Sequence, residues 1–321
     1  VQSDWYVLCC FVNEATSCSP QNDYLSSCTD LIHNELQEAV LIIQALSALI
    51  FNTMACTIHV CTHSIDYILF LSLSAADGLM GLYLSAIAFV NFFYSGTFTV
   101  IIVEWQSMFL CTVISSISFL SSEMSLLTLA FICSERARSL SKIQLVFRKD
   151  KQYLILAICL WITMICISTG MILSFVFISS ISINNNMCLY FGVSGAHKIS
   201  LIEHVWYITL MVFNLLLLLV IVVACVWILK IVQSKQRRQL QSSTDRHGMG
   251  VSLFLIVLVL TNLGCWLPVL IVLILGTLEF AIQDSVLVWI MILVIPINAT
   301  VNPFLHSVKF IRHKLKAREL H

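Results

Sequence analysis

Charge is scarce in this chain. Only 11% of its 321 residues are charged and 59% are hydrophobic, whereas an ordinary soluble domain is roughly 25% charged. A soluble fold of this length needs far more polar surface, so the composition argues against one. The formal net charge is zero, so bulk electrostatics give no case for a nucleic-acid partner. The composition therefore favours a protein whose solvent is the lipid bilayer.

Sequence signatures of enzymes are missing as well. The chain contains no His-Glu-x-x-His pattern and no glycine-rich phosphate loop, and His59 and His63 have no carboxylate cluster beside them. We therefore predict that the protein is not an enzyme. The chain begins at Val1, and no signal peptide precedes its first apolar run. This predicts a fragment of a longer protein.

Long apolar runs fill most of the chain. A helix crosses a bilayer with about 20 apolar residues, because it satisfies its backbone polar groups internally. Seven such runs occur, each bounded by charged or turn-prone residues: 38–66, 67–93, 107–134, 153–179, 204–229, 249–275 and 285–306. No soluble domain fits between any two of them. The predicted fold class is all-α, a seven-transmembrane-helix bundle over residues 38–306.

The positive charges are distributed unevenly. Lys and Arg are absent before Arg136, and of the 17 in the chain only Lys198 does not follow the third, fifth or seventh run. Cytoplasmic loops of membrane proteins carry an excess of Lys and Arg. We therefore predict a multi-pass protein of the plasma membrane, with its N-terminus extracellular and its C-terminus cytoplasmic.

Two shorter segments flank the membrane domain. Residues 1–37 precede the first run and contain four cysteines, which predicts an extracellular cysteine-rich segment. Residues 307–321 alternate apolar residues with basic ones. That pattern predicts an amphipathic helix on the anionic cytoplasmic leaflet, and a solvated basic tail is the alternative.

The 13 cysteines divide by location. Cys111, at the outer end of the third run, and Cys188, in the loop after the fourth, are the two cysteines of the outer loops. In an oxidising compartment they should form a disulfide that holds the loop over the bundle. Four others cluster before the first run: Cys9, Cys10, Cys18 and Cys28. A disulfide knot is expected there, with metal binding as the alternative.

Carboxylates inside apolar runs are costly, and each is a functional hypothesis. Asp77 lies in the middle of the second run and needs polar partners, which Asn298 and Asn302 of the seventh run can supply. Glu123 lies in the third run. It is either a polar tether facing the bundle core or a protonated side chain that merely packs.

Motif residues recur in a fixed order along the runs. They are Asn52, Asp77, Cys111, Glu135, Arg136, Trp161, Trp266, Pro268, Asn302 and Pro303. Together they resemble the rhodopsin-like G-protein-coupled receptors, and the resemblance covers residues 38–321. It implies a receptor that passes an extracellular signal to a heterotrimeric G protein.

The subfamily is indicated by two segments. Residues 121–129 resemble the third helix of receptors with a leucine-rich-repeat ectodomain, namely the glycoprotein-hormone, relaxin and R-spondin receptors. The N-terminal cysteines are similar to the hinge of that group, which implies the pairs Cys9–Cys18 and Cys10–Cys28. The resemblance further implies an upstream ectodomain, missing here, that binds a protein hormone.

The resemblance also implies roles for particular residues. Arg136, with Glu135, would engage the transducer. A polar pocket would hold a sodium ion in the inactive state, with a hydrogen-bonded network without an ion as the alternative. Its residues are Asp77, Ser125, Trp266, Asn298 and Asn302. The hinge and switch residues would be Trp266, Pro268, Asn302, Pro303 and His306.

Three residues depart from the family pattern. His306 stands where the seventh-helix motif ends in Tyr, Ala137 where an aromatic follows the Arg, and Gly248 where an acid often locks that Arg. These departures predict weak coupling that depends on Arg136. The alternative is a receptor-shaped scaffold that regulates a co-receptor without a G protein. A transporter or channel is disfavoured, because no internal repeat is visible.

Overall fold

A computed structural model describes most of the apolar part of the chain. The described residues are 30–32, 34–62, 67–98, 105, 109–141, 150–178, 187–188, 201–237, 243–277 and 284–304. Within these ranges the regular structure is helical, and no strand is present. Residues 1–29 and 305–321, and therefore the predicted N-terminal cysteine pairs, His306 and the amphipathic tail, lie outside them.

The described chain contains six long helices and a divided seventh span. The long helices are α1 (Glu35–Thr62), α2 (Tyr67–Phe93), α3 (Phe109–Leu140), α4 (Asp150–Ile178), α5 (Leu201–Arg237) and α6 (Ser243–Thr277). The seventh span comprises α7 (Asp284–Trp289), a π-helical turn (Ile290–Val294) and helical residues 297–304. Each element falls on one of the seven apolar runs. The prediction of an all-α, seven-helix bundle is confirmed.

The bundle has an apolar exterior, and many polar side chains are buried among the apolar residues of its core. Helices α1 to α5 are long and apolar enough to cross a membrane, and shorter apolar stretches lie at Ile256–Val272 and Ile290–Phe304. On α5, Leu216 and Leu219 are more than half exposed, whereas the enclosed α3 buries a series of Ser and Thr side chains. In a soluble protein polar side chains are mostly exposed. This inverted distribution fits lipid as the surrounding solvent, because interhelical polar contacts then stabilise the interior.

Several helices extend beyond their apolar runs. Helix α3 continues to Leu140, past the end of its run at Ser134, and α5 continues to Arg237. Hydropathy marks only the part of a helix that lies in hydrocarbon. The backbone bonds of a helix are internal, so the helix can continue into water with a polar sequence.

The seventh span contains a turn that its apolar pattern does not indicate. The N–H of Ile295 donates to the carbonyl of Ile290 at 2.9 Å, an i to i−5 bond. Pro296 follows and has no N–H to continue the ordinary ladder. A π-helical turn inserts an extra residue and rotates the helix beyond it. It therefore sets the direction in which Asn298 and Asn302 point.

Candidate functional site

Asp77 is the centre of a polar site in the middle of the bundle. Its side chain is 2% exposed, and its Oδ2 accepts a hydrogen bond from Nδ2 of Asn302 at 3.2 Å. Ser125 of α3 lines the same pocket as the carboxylate. The site thus joins α2, α3 and the seventh span around one buried charge.

A small cavity lies against this carboxylate. Its volume is ≈ 20 Å³, which suits about one water-sized occupant. Besides Asp77, its polar lining comes from α3 and the seventh span: Ser121, Ser122, Ser125 and Asn298. Trp266 and Cys265 of α6 cover another side. The structure therefore places all the predicted pocket residues except Asn302 on the wall of one cavity, and Asn302 bonds to Asp77 beside it.

The asparagines of the site leave acceptor oxygens available. Asn298 donates from Nδ2 to Oδ1 of Asn262 on α6 at 3.2 Å, and Asn262 donates in turn to the Leu258 carbonyl at 3.0 Å. The Oδ1 atoms of Asn298 and Asn302 are buried and have no hydrogen-bond partner among the described residues. Hard cations take oxygen ligands. The combination of carboxylate, hydroxyl and amide oxygens therefore fits a small cation or a water molecule.

A second set of bonds ties α1 to the seventh span. Asn52 Nδ2 donates to the carbonyls of Ala48 at 2.8 Å and of Ala299 at 2.7 Å. In the opposite direction, the hydroxyl of Thr300, the residue after Ala299, donates to Oε1 of Gln44, which is also buried. Because both bonds join α1 to residues 299–300, directly after Asn298, a movement of that segment away from α1 would break them.

A third set joins α2, α3 and α4. Trp161 Nε1 donates to Oγ of Ser72 at 2.9 Å, and that hydroxyl lies 3.4 Å from Oγ1 of Thr128. The Ser121 hydroxyl donates to the Ala76 carbonyl at 2.7 Å, one residue before Asp77. The backbone next to Asp77 is therefore fixed to α3.

Glu123 has a partner on α5. It is 0% exposed, and its Oε1 accepts a hydrogen bond from Nδ2 of Asn214 at 3.0 Å. Of the two alternatives for Glu123, the geometry favours the polar tether, because the bond links α3 to α5 across the interior. A carboxylate at mid-bilayer costs about 2.5–3.5 kcal/mol, so such a partner is required.

One end of the bundle carries a disulfide, and we call it the disulfide end. The Cys111 and Cys188 sulfurs are bonded, and their Cα atoms lie 5.2 Å apart, which is a normal separation for a disulfide. The Tyr83 hydroxyl of α2 donates to the Met187 carbonyl at 2.9 Å. The predicted bond is present, and residues 187–188 are held at two points.

A short segment before α1 packs onto the same end. Oδ1 of Asp30 accepts from the Ser95 hydroxyl at 2.8 Å and from the Gly96 N–H at 2.9 Å, in the turn after α2. The Ile32 N–H donates to Oδ1 of Asn91 at 2.8 Å. Leu31 and Ile32 are buried against the core. Residues 30–32 are thereby fixed to the end of α2.

The opposite end, which we call the arginine end, carries the Glu135-Arg136 pair. Oε1 of Glu135 accepts a hydrogen bond from the Tyr153 hydroxyl of α4 at 2.6 Å. Arg136 is half-buried beside it. Pro268 lies inside α6, and the residue at position 248 of the same helix is a glycine. Pro303 is buried in the seventh span one residue after Asn302.

Some residues that form hydrogen bonds between helices were not among the predicted site residues. Asn214, Asn262, Gln44 and Tyr153 each supply a hydrogen bond between elements. The sequence offered a signal for the three amides, since each is an isolated amide side chain within a long apolar run. Nothing in the local sequence distinguishes Tyr153 from an ordinary aromatic at a helix start.

Comparison with known proteins agrees with this arrangement. Residues 47–306 match the family described as 7 transmembrane receptor (rhodopsin family). Nearly all of the bundle lies within that match, including both carboxylates, the disulfide and the Glu135-Arg136 pair.

Individual relatives are distant but align over almost the whole chain. A G-protein coupled receptor, GRL101, of Lymnaea stagnalis is 25% identical over 317 residues, which cover 96% of this chain and 28% of that receptor. Relaxin receptor 2 of Homo sapiens is 25% identical over 321 residues, covering 96% and 42%. The lutropin-choriogonadotropic hormone receptor of Gallus gallus is 24% identical over 300 residues, covering 91% and 39%. The chain thus spans less than half the length of these relatives.

Proposed function

Because the chain belongs to the rhodopsin family of seven-transmembrane receptors, we propose that it is the membrane domain of a receptor that passes a hormone signal to a heterotrimeric G protein. The observation that carries the proposal is the central polar site. Asp77, Asn298 and Asn302 connect α2, α6 and the seventh span by side-chain bonds and a shared cavity. A ligand at one end of such a bundle can bias the packing at the other end through these connections.

The hormone is a protein that binds mainly to an upstream ectodomain. The relaxin and lutropin relatives, named for their hormones, are more than twice as long as the aligned region, which leaves room for such a domain. In this chain, residues 30–32 are clamped to the end of α2 by Asp30 and Asn91. A conformational change in the hinge segment that precedes residue 30 would therefore act directly on the end of α2.

The protein lies in the plasma membrane, with the disulfide end outside and the arginine end inside. Two independent features support this orientation. Disulfides form in the oxidising compartment, and nearly all Lys and Arg fall beyond the arginine end of the spans.

Activation is a shift between two packings of the helices. Trp266 covers the cavity beside Asp77, and Pro268 provides a hinge two residues later in α6. In the inactive packing the Asp77 carboxylate, the Ser125 hydroxyl and Oδ1 of Asn298 would hold a sodium ion in the cavity. Such an ion would neutralise a charge that is otherwise costly in hydrocarbon.

Arg136 is the residue that contacts the transducer. It is a fixed cation with five donors, and its neighbour Glu135 accepts a hydrogen bond from the Tyr153 hydroxyl of α4. Gly248 has no carboxylate that could bind Arg136 and stabilise the inactive packing. His306 replaces the tyrosine that supports the active packing in the family pattern. The first departure favours basal activity and the second weakens coupling, so the outcome is weak coupling that depends on Arg136.

The test is nucleotide exchange on purified G proteins by the full-length receptor in nanodiscs without hormone. The variant is Arg136→Ala, and Lys230→Gln is the control, because Lys230 is an exposed cation on α5 at the same end. Loss of a charge-assisted contact of about 1.5–3 kcal/mol should reduce exchange at least about tenfold in Arg136→Ala only. Equal exchange by both variants would remove Arg136 from the mechanism.

A second function is favoured by the departures at positions 137, 248 and 306. A receptor-shaped scaffold, regulating a co-receptor without a G protein, needs none of the three missing side chains. No exchange by the wild type on any G-protein class, at surface expression matched to a coupled receptor, would support the scaffold and contradict coupling.

A further inference from the structure

A groove runs along the outer face of the bundle between α3 and α5, at the arginine end. Its volume is ≈ 430 Å³, within the usual range of small-molecule sites. Helix α3 contributes Ser134, Ala137 and Arg138, and α5 contributes Val223, Ala224 and Trp227 among others. The groove is separate from the Asp77 cavity, and neither the coupling residues nor the disulfide line it.

The groove exists because its floor is made of small side chains. Ala137 is 1% exposed and Ala224 is 5% exposed. The walls are large and open to the outside, with Val223 56% exposed and Trp227 41% exposed. Ala137 is the position at which related receptors carry an aromatic side chain, which would fill this space. The departure from the pattern therefore has a structural consequence.

The polar end of the groove is positively charged. Arg138 is half-buried in its lining, and its Nε donates to the Ser134 carbonyl at 3.4 Å. A guanidinium has five N–H donors, so its NH₂ groups stay available for an anion. Among the residues that the structure describes, the lining contains no acidic side chain, and no carboxylate is paired with Arg138. Trp227 on the opposite wall is of the type that anchors helices at the headgroup level.

We propose that this groove binds one anionic phospholipid, with an acyl chain along the α5 wall and the headgroup phosphate at Arg138. In a bilayer, an outward-facing apolar groove is covered by a lipid chain or by another helix. A symmetric pair of receptors would place both copies of this groove, and both Arg138 side chains, at the same depth. The two guanidinium groups would repel each other in such a pair, whereas an anionic lipid headgroup neutralises the charge of one Arg138.

The bound lipid would bridge the arginine ends of α3 and α5. Arg138 lies two residues after Arg136 on α3, so the two side chains are at a similar depth but on different sides of the helix, and Arg136 does not line the groove. The proposal requires that the chain be a membrane domain, but it does not require G-protein coupling. A result on lipid binding is therefore distinguishable from a result on nucleotide exchange.

The test is native mass spectrometry of the full-length receptor extracted from nanodiscs that contain equal phosphatidylserine and phosphatidylcholine with the same chains. The wild type should retain one phosphatidylserine in preference to phosphatidylcholine. Arg138→Gln should lower that retention roughly fivefold, the effect of one cation near the surface. Ala137→Phe should abolish it by filling the groove.

Two variants serve as matched controls. Lys230→Gln removes the same charge at the same end from an exposed residue outside the lining, and Leu216→Phe enlarges an exposed α5 side chain outside it. Both should retain phosphatidylserine as the wild type does. Since both leaflets of the nanodisc contain both lipids, the result does not depend on orientation in the cell.

Three results would overturn the proposal. Equal retention of the two lipids by the wild type would show ordinary boundary lipid. Unchanged retention in Arg138→Gln would show that the headgroup lies elsewhere, and this variant decides the matter if Ala137→Phe fails to fold in a thermal unfolding assay. A disulfide-crosslinked receptor dimer formed efficiently through Val223→Cys would show that a second helix, rather than a lipid, covers the groove.

Discussion

The two buried carboxylates show what single residues contribute. The sequence located both Asp77 and Glu123, because a charge inside an apolar run is visible without any structure. The partners were harder to predict. Asn302 does bond to Asp77, but Asn298 shares only the cavity and donates to Asn262 instead. That choice depends on the rotation of the seventh span at its π-helical turn, and hydrophobic periodicity does not report such a turn.

Sodium should stabilise the receptor through Asp77. We expect the unfolding temperature of the full-length receptor to be higher in sodium chloride than in choline chloride at equal ionic strength. The gain is about 1.4 kcal/mol when sodium is at ten times its dissociation constant. In Asp77→Asn the difference should vanish, because the neutral amide cannot balance the ion. The measurement is thermal unfolding followed by intrinsic fluorescence.

Glu123→Gln is the control for this experiment. It removes the other intramembrane carboxylate, which lies with Asn214 between α3 and α5 rather than on the cavity wall. Its response to sodium should match the wild type. A sodium response that persisted in Asp77→Asn, or that was lost in Glu123→Gln, would contradict the assignment of the ion to Asp77.

At the scale of the helices, the sequence predicted the existence of every span but not its ends. Seven apolar runs correspond to seven spans, because the bilayer thickness sets a minimum length of apolar helix. The extensions of α3 and α5 beyond their runs mix charged and polar residues with a few apolar ones, and the membrane imposes no pattern on them. The distance between two packed helices could not be predicted from the sequence either, because it depends on which small residues face each other.

Gly81 sets how closely α2 approaches α1. A Cβ at this position would lie 3.0 Å from the backbone nitrogen of Leu49, whereas a Cβ at Gly78 would lie 3.7 Å from Cβ of Asn52, an ordinary contact. Gly81→Ala should therefore lower the free energy of unfolding by about 1–3 kcal/mol, the usual cost of overpacking. Gly78→Ala, one turn away on the same face, should be nearly neutral. Thermal unfolding of both variants in the same detergent compares them, and equal stabilities would show that α1 shifts at little cost.

For the whole molecule, most of the hydrogen bonds between helices could not be predicted, even where one of the two residues was a predicted site residue. Asn52 donates to a carbonyl 247 residues away, and Trp161 to a hydroxyl 89 residues away. Such partners are fixed by the arrangement of the helices, which no local pattern encodes. The family resemblance supplied the order of the motifs and hence the architecture. The ties through Gln44, Asn214 and Tyr153 needed the three-dimensional structure.

Orientation in the membrane is the prediction that concerns the molecule as a whole. Each Lys or Arg placed at the bilayer centre costs about 2.5–3.5 kcal/mol, and the cytoplasmic side retains positive loops. An epitope inserted at Asn185, in the loop after α4, should therefore bind antibody on intact cells that express the full-length receptor. An epitope inserted at Ser242, between α5 and α6, should bind only after permeabilisation. Detection of both epitopes in permeabilised cells controls for expression. The reverse pattern would place the Cys111–Cys188 bond in the reducing compartment and Arg136 outside, and it would contradict the proposed direction of signalling.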